Sequence, residues 1–69
     1  MVTIRNEIRR LRFEHGEMTQ QELADKIDVT RQTVNAIEQG KYSPSLEAAF
    51  RIAAVFDKPL ESVFHHSKD

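Results

Sequence analysis

Two short helical segments separated by only three residues constrain this chain more than any other feature of its sequence. Gln20–Ile27 and Arg31–Gln39 carry apolar residues at helical spacing, and only residues 28–30 lie between them. So short a connection makes the two helices cross at a steep angle, as in a helix-turn-helix. The apolar residues expected inside and around this pair are Leu23, Ala24, Ile27, Val29, Val34 and Ile37.

Capping residues mark where the two helices begin and end. Thr19 precedes the first helix, and Glu22 three residues later completes a capping-box pattern. Thr30 can cap the second helix, and Gly40 can end it in the left-handed conformation that glycine adopts freely. The motif is therefore predicted at about residues 19–39.

The outer surface of the second helix is expected to be polar. Its exposed residues are Arg31, Gln32, Thr33, Asn35 and Ala36. Such side chains can hydrogen-bond base edges in the DNA major groove or contact a thymine methyl group. A protein-binding groove would instead present apolar or aromatic anchors, so this surface favours DNA as the partner.

The pattern resembles the Cro and phage-repressor type of helix-turn-helix, the Xre family of small DNA-binding regulators, over about Ile8–Phe64. Asp28 and Asp57 stand where the family usually has glycine, and aspartate tolerates the left-handed conformation better than most residues. The resemblance is carried by Leu11, Arg12, Met18, Thr19, Gln20, Glu22, Leu23, Ala24, residues 29–34, Ile37, Glu38, Gly40, Lys41, residues 44–47, Ile52 and Ala53.

The resemblance also implies roles for individual residues. Arg12 is expected to form an ion pair with Glu38 that orients the second helix. Gln20 is expected to contact a DNA phosphate and to brace the same helix. The loop after it should lie against the DNA backbone, with Lys41 and Tyr42 as phosphate donors; a packed loop aromatic is an equal alternative for Tyr42.

The rest of the chain predicts three further helices, which gives an all-α, five-helix domain of residues 1–69. These helices are Ile4 to about Glu14, Leu46 to about Phe56 after the cap Ser45, and Leu60 to about Phe64. Met1–Thr3 can form a short strand or an ordered arm, and His65–Asp69 reads as a polar tail.

The last helices are more apolar than one small core requires. We therefore expect a homodimer that pairs through residues 55–66, with Leu60, Val63 and Phe64 in the interface and Phe56 in the core. Residues 2–4 could add a strand beside the tail. Such a dimer would place its recognition helices about 34 Å apart on an inverted-repeat operator, most simply as a repressor.

Composition excludes several classes of protein. The chain has 69 residues, no cysteine and a net charge of -1, which predicts one domain without disulfides and only moderate non-specific DNA binding. There is no glycine-rich phosphate loop and no catalytic pair, so an enzyme is not expected. His65 and His66 lack a third ligand, so neither a metal nor a cofactor is predicted.

No long apolar run or signal peptide is present, which predicts a cytoplasmic protein without membrane contact. The alternative function that stays open is a protein-interaction module with the same fold, such as an antitoxin or the target of a regulatory protein partner.

Overall fold

Five helices and a two-stranded antiparallel sheet make up the fold. The structure is a computed structural model that describes residues 2–68, so Met1 of the predicted arm and Asp69 of the predicted tail lie outside it. The elements in chain order are β1 (Val2–Asn6), α1 (Ile8–Glu14), α2 (Gln20–Ile27), α3 (Arg31–Glu38), α4 (Leu46–Val55), α5 (Leu60–Val63) and β2 (Phe64–Lys68). The five predicted helices are confirmed.

The helix caps follow the sequence prediction. The Thr19 hydroxyl accepts the amide of Glu22 at 3.0 Å, and the Glu22 carboxylate accepts the amide of Thr19 at 2.9 Å, so the capping box is complete. Thr30 caps α3 by accepting the Thr33 amide at 3.1 Å. Ser45 caps α4 in the same way.

The chain adopts the left-handed conformation after α2, α3 and α4, as it also does at Gly16 after α1. Asp28 and Asp57, which replace the usual glycines, have φ values of 61° and 54°, as expected for aspartate at these sites. Gly40 has φ of 75°, and the next amide, that of Lys41, donates to the carbonyl of Ala36 at 3.0 Å. This closes the C-terminal end of α3 in a Schellman arrangement.

The prediction that the first helix begins at Ile4 is wrong. Ile4 lies in β1, where its backbone is paired opposite His66, and the predicted strand beside the tail is confirmed. The Asn6 side chain also accepts the amide of Ile8 at 3.2 Å, a local bond that favours a turn before α1. The tail residues before Asp69 form β2 instead of remaining irregular.

One core joins all five helices. Phe56 is 1% exposed, as predicted, and is the largest of the fully buried side chains. Val63 is 0% exposed, so the prediction that it lies in a dimer interface is wrong: its side chain fills the core beneath α5. Among residues 2–68 we find no helix long and apolar enough to cross a membrane. The buried residues are Ile8, Leu11, Leu23, Ala24, Ile27, Val34, Ile37, Ala49, Ile52, Ala53, Phe56 and Val63.

Candidate nucleic-acid interface

The outward face of α3 is a mostly polar stripe. Because an α-helix turns by about 100° per residue, residues 31, 32, 35, 36 and 39 share one side of α3. Arg31 and Gln32 are exposed, and Asn35 and Ala36 are half-buried. Val34 and Ile37 point to the other side and are buried. We call these five outward positions the α3 stripe.

Thr33, predicted to contact a base, lies off the α3 stripe. It is half-buried, and its hydroxyl lies 3.0 Å from the hydroxyl of Thr30. Its amide also bonds Thr30, so both polar groups of Thr33 take part in closing the first turn of α3. Helical spacing therefore sets Thr33 apart from the stripe, and its contacts with Thr30 engage its hydroxyl and amide in the cap.

Gln39 belongs to the α3 stripe but was absent from the predicted site. It is exposed, and its side-chain amide donates to the Asn35 side-chain oxygen at 3.2 Å. The signal was present in the sequence, since Gln39 follows Gln32 by two helical turns. The sequence prediction gives Gln39 only as the last residue of the second helix and not as a residue that faces DNA.

An ion pair fixes α3 against α1. Arg12 donates from Nε and Nη2 to the two carboxylate oxygens of Glu38, at 2.6 Å and 3.0 Å. Their side chains retain only 15% and 7% exposure, so the pair is largely removed from water. Arg12 also donates to the carbonyl of Met18 at 2.8 Å, which ties in the segment that leads into α2. The predicted pair is thus present in the geometry and links three parts of the chain.

Gln20 extends this network to the α3 stripe. From the first turn of α2, its side-chain amide donates to the Asn35 oxygen at 3.1 Å and to Glu38 at 3.2 Å. Gln20 therefore braces α3, which is one half of its predicted role. The Asn35 oxygen is occupied by Gln20 and Gln39, so the amide nitrogen of Asn35 is the group it can offer to a base.

The loop after α3 offers side chains but few backbone donors. The amides of Gly40 and Lys41 already bond the carbonyls of Ile37 and Ala36, each at 3.0 Å. Lys41 and Tyr42 are exposed, with 54% of Tyr42 accessible. The exposed Lys41 ammonium and Tyr42 hydroxyl are thus available in this loop as phosphate donors, whereas the amides of Gly40 and Lys41 are not.

Positive charge is exposed at both ends of the α3 stripe. Arg31 and Lys41 are exposed at its two ends, whereas the negative charge of Glu38 is neutralised by Arg12. At the start of α2, the pKa of Glu22 is lowered, first by the Thr19 amide and then by the Thr19 hydroxyl. Glu22 therefore stays ionised at neutral pH while it serves as a cap.

These features define the class of protein as a helix-turn-helix domain. The α2–α3 pair carries the motif, and the polar face of α3 is turned outward. In the described part of the chain, no group of three histidine, aspartate or glutamate side chains is arranged to hold a metal ion.

Comparison with known proteins agrees with this class. A helix-turn-helix family model matches residues 8–63. An uncharacterized HTH-type transcriptional regulator of Methanocaldococcus jannaschii is 44% identical over 66 residues, covering 96% of this chain and 98% of the relative. A regulator of the same description from Archaeoglobus fulgidus is 48% identical over 61 residues, covering 88% and 86%. The Bacillus subtilis regulator YgzD is 43% identical over 61 residues, covering 88% and 91%.

The chain therefore belongs to the Xre/Cro-type helix-turn-helix family. It is a DNA-binding transcriptional regulator and not an enzyme.

Proposed function

We propose that this regulator reads a specific DNA sequence by placing α3 in the major groove. The observation that carries the proposal is the α3 stripe: Arg31 and Gln32 are exposed on the opening turn of a helix that is held by a largely buried ion pair. Arginine pairs best with guanine and glutamine with adenine, and both present their donors at base edges. Asn35 and Ala36 follow on the same side, where they can contact a base edge or a thymine methyl group.

Phosphate contacts would set the register of α3 on the duplex. Gln20 contacts Asn35 of the α3 stripe from α2, and Lys41 and Tyr42 lie in the loop that follows α3. The Lys41 ammonium and the Tyr42 hydroxyl can donate to phosphate oxygens, which orient a protein on DNA without reading its sequence. The Gln20 side-chain amide can do so only by releasing its bond to Asn35 or to Glu38.

We further propose that the protein acts as a homodimer on an inverted-repeat operator and represses transcription. Two copies related by a two-fold axis would set their recognition helices about 34 Å apart, one turn of B-DNA. A bound dimer would block a promoter that overlaps the operator.

A protein-interaction module, such as an antitoxin, that would bind its partner through the α3 stripe is less well supported. Such a module needs large apolar or aromatic anchors at its contact surface. The α3 stripe offers arginine, glutamine, asparagine and alanine instead. DNA is therefore the partner that fits this surface.

Selection of bound sequences from a random duplex pool tests the proposal. We expect enrichment of one short sequence motif, repeated in inverted orientation. Recovery of sequences with no common motif would contradict sequence-specific binding.

A further inference from the structure

One side of the molecule exposes a group of large apolar side chains away from the α3 stripe. Leu46 and Phe50 lie one turn apart on α4 and are 67% and 53% exposed. Beside Leu46 is a groove of about 320 Å³. Its lining residues are Ile4, Ser43, Pro44, Leu46, Ala49, Leu60 and Phe64. We call Leu46, Phe50 and this groove the α4 face.

This exposure is concentrated and not scattered. Three of the five large hydrophobic residues that the described chain leaves exposed, namely Ile4, Leu46 and Phe50, belong to the α4 face. Single exposed apolar residues are ordinary, but a contiguous patch marks an interaction surface.

We propose that a second copy of this chain covers the α4 face, with the two α4 helices antiparallel about a two-fold axis near Phe50. This inference rests on the proposed homodimer and gives it an interface. It retains Leu60 and Phe64, which line the groove, and replaces the buried Val63 with Leu46 and Phe50.

The sequence of α4 is complementary to itself in that arrangement. Glu47 and Arg51 are exposed and one turn apart, and within one chain they pair at 2.8 Å. A two-fold axis between them would set each Glu47 against Arg51 of the opposite copy. A two-fold interface must be self-complementary in this way, because both copies present the same patch.

The side chains that would meet across a two-fold axis at Phe50 are also complementary in size. With Phe50 packed against its own symmetry mate, Leu46 would meet Ala54 of the opposite copy. Ala54 is small and exposed, so the large Leu46 has space to pack. The pairing of Glu47 with Arg51 places the two-fold axis at residue 49, and the pairing of Leu46 with Ala54 places it at residue 50. The two positions differ by about 1.5 Å along a helix.

The α4 face is also connected to the reading helix. Ile4 lines the groove and also contributes to a hollow beside Glu38, Gln39 and Gly40 at the end of α3. Two residues along the same strand, the Asn6 side chain donates to the carbonyl of Ile37 at 3.0 Å. Pairing through the α4 face would thus hold β1 against the end of α3.

Sedimentation equilibrium of the full chain tests this interface with Phe50→Asp and a matched control, Phe13→Asp. Phe13 is 69% exposed on α1 and outside the α4 face. We expect a wild-type dimer, a folded Phe50→Asp variant whose association is weakened about 100-fold or more, and an unchanged Phe13→Asp dimer. Circular dichroism confirms that each variant is folded.

A charge-reversal cycle gives a second, independent measurement. Glu47→Arg and Arg51→Glu alone should each weaken dimerisation by about tenfold, and the double variant should restore it. A dimer that survives Phe50→Asp, or a double variant that stays as weak as the single ones, would place the interface elsewhere. A wild-type monomer at tens of micromolar would also overturn the inference. Binding of the Phe50→Asp variant to a duplex with one half-site separates loss of dimerisation from loss of DNA binding. A variant that has lost only dimerisation should still bind this half-site in preference to a random duplex.

Discussion

At the scale of single residues, the position of α3 depends on one charged pair. Arg12 satisfies both carboxylate oxygens of Glu38 and the Met18 carbonyl, and Gln20 adds a further bond to the same carboxylate. Removing one partner of a pair that is withdrawn from water leaves the other charge uncompensated, which costs more than the pair itself contributes. The network therefore fixes the position of α3, and the loss of either charged partner should destabilise the fold.

Replacing Arg12 tests this dependence. We expect Arg12→Ala to lower the free energy of unfolding by about 3 kcal/mol. Arg10→Ala is the matched control on the same helix, because Arg10 pairs with Glu7 and Glu14 while its side chain is 55% exposed. That exposed, solvent-screened pairing predicts a much smaller loss than the Arg12 pair. Urea denaturation of both variants decides between them, and equal small losses would show that the Arg12 pair behaves as a surface pair.

Among the residues of the α3 stripe, we propose Gln32 as the firmest candidate for a base contact. On a selected site, Gln32→Ala should weaken binding by about 1–3 kcal/mol and relax the preference at one base position. Gln21→Ala provides the control, since Gln21 is an exposed glutamine on α2 that bonds Asp25 within its own helix. Fluorescence anisotropy with specific and random duplexes measures both effects. Equal weakening on the two duplexes would remove Gln32 from the set of base readers.

At the scale of elements, capping residues and helical spacing predicted the helices. The strand β1 depends on pairing with the other end of the chain, which these local signals do not report. Thr19, Thr30 and Ser45 begin their helices as predicted because each cap is a contact within four residues. The sequence pattern assigns Ile4 to the first helix because Ile4 and Ile8 are spaced one helical turn apart, although Ile4 also fits a strand. Only the backbone partner of Ile4, His66 at the other end of the chain, makes that segment a strand.

The capping box of α2 gives a pH-dependent prediction at this scale. The folded-state pKa of Glu22 lies below its ordinary value of 4.5, so the stability it contributes is present above pH 4.5 and is lost as pH falls through the lowered pKa. Glu22→Gln keeps an acceptor for the box but cannot titrate there. Wild type should therefore melt above Glu22→Gln at pH 7, and the gap should close in acid.

Thermal melts between pH 7 and pH 2.5 measure that gap. Glu61→Gln, at an exposed position in the first turn of α5, controls for the loss of one negative charge. A gap between wild type and Glu22→Gln that stays constant down to the lowest pH would mean that the carboxylate of Glu22 does not stabilise the cap.

At the scale of the whole molecule, burial decided what sequence patterns could not. Val63 and Leu60 are both apolar and close in sequence, yet Val63 is in the core and Leu60 lines the groove. Phe50 and Phe56 differ in the same way on α4 and at its end, with 53% and 1% exposure. Apolar content predicts that a surplus exists, but only the packing of all five helices determines which residues form it.

We propose that α3 of each copy enters the major groove of one half of an inverted repeat. Hydroxyl-radical footprinting of wild-type protein on the selected duplex tests it most directly. We predict two clusters of protected backbone on one side of the duplex, with their centres one helical turn apart, about 10–10.5 base pairs. A single protected cluster on the selected site, or protection spread evenly over specific and random duplexes alike, would contradict the account.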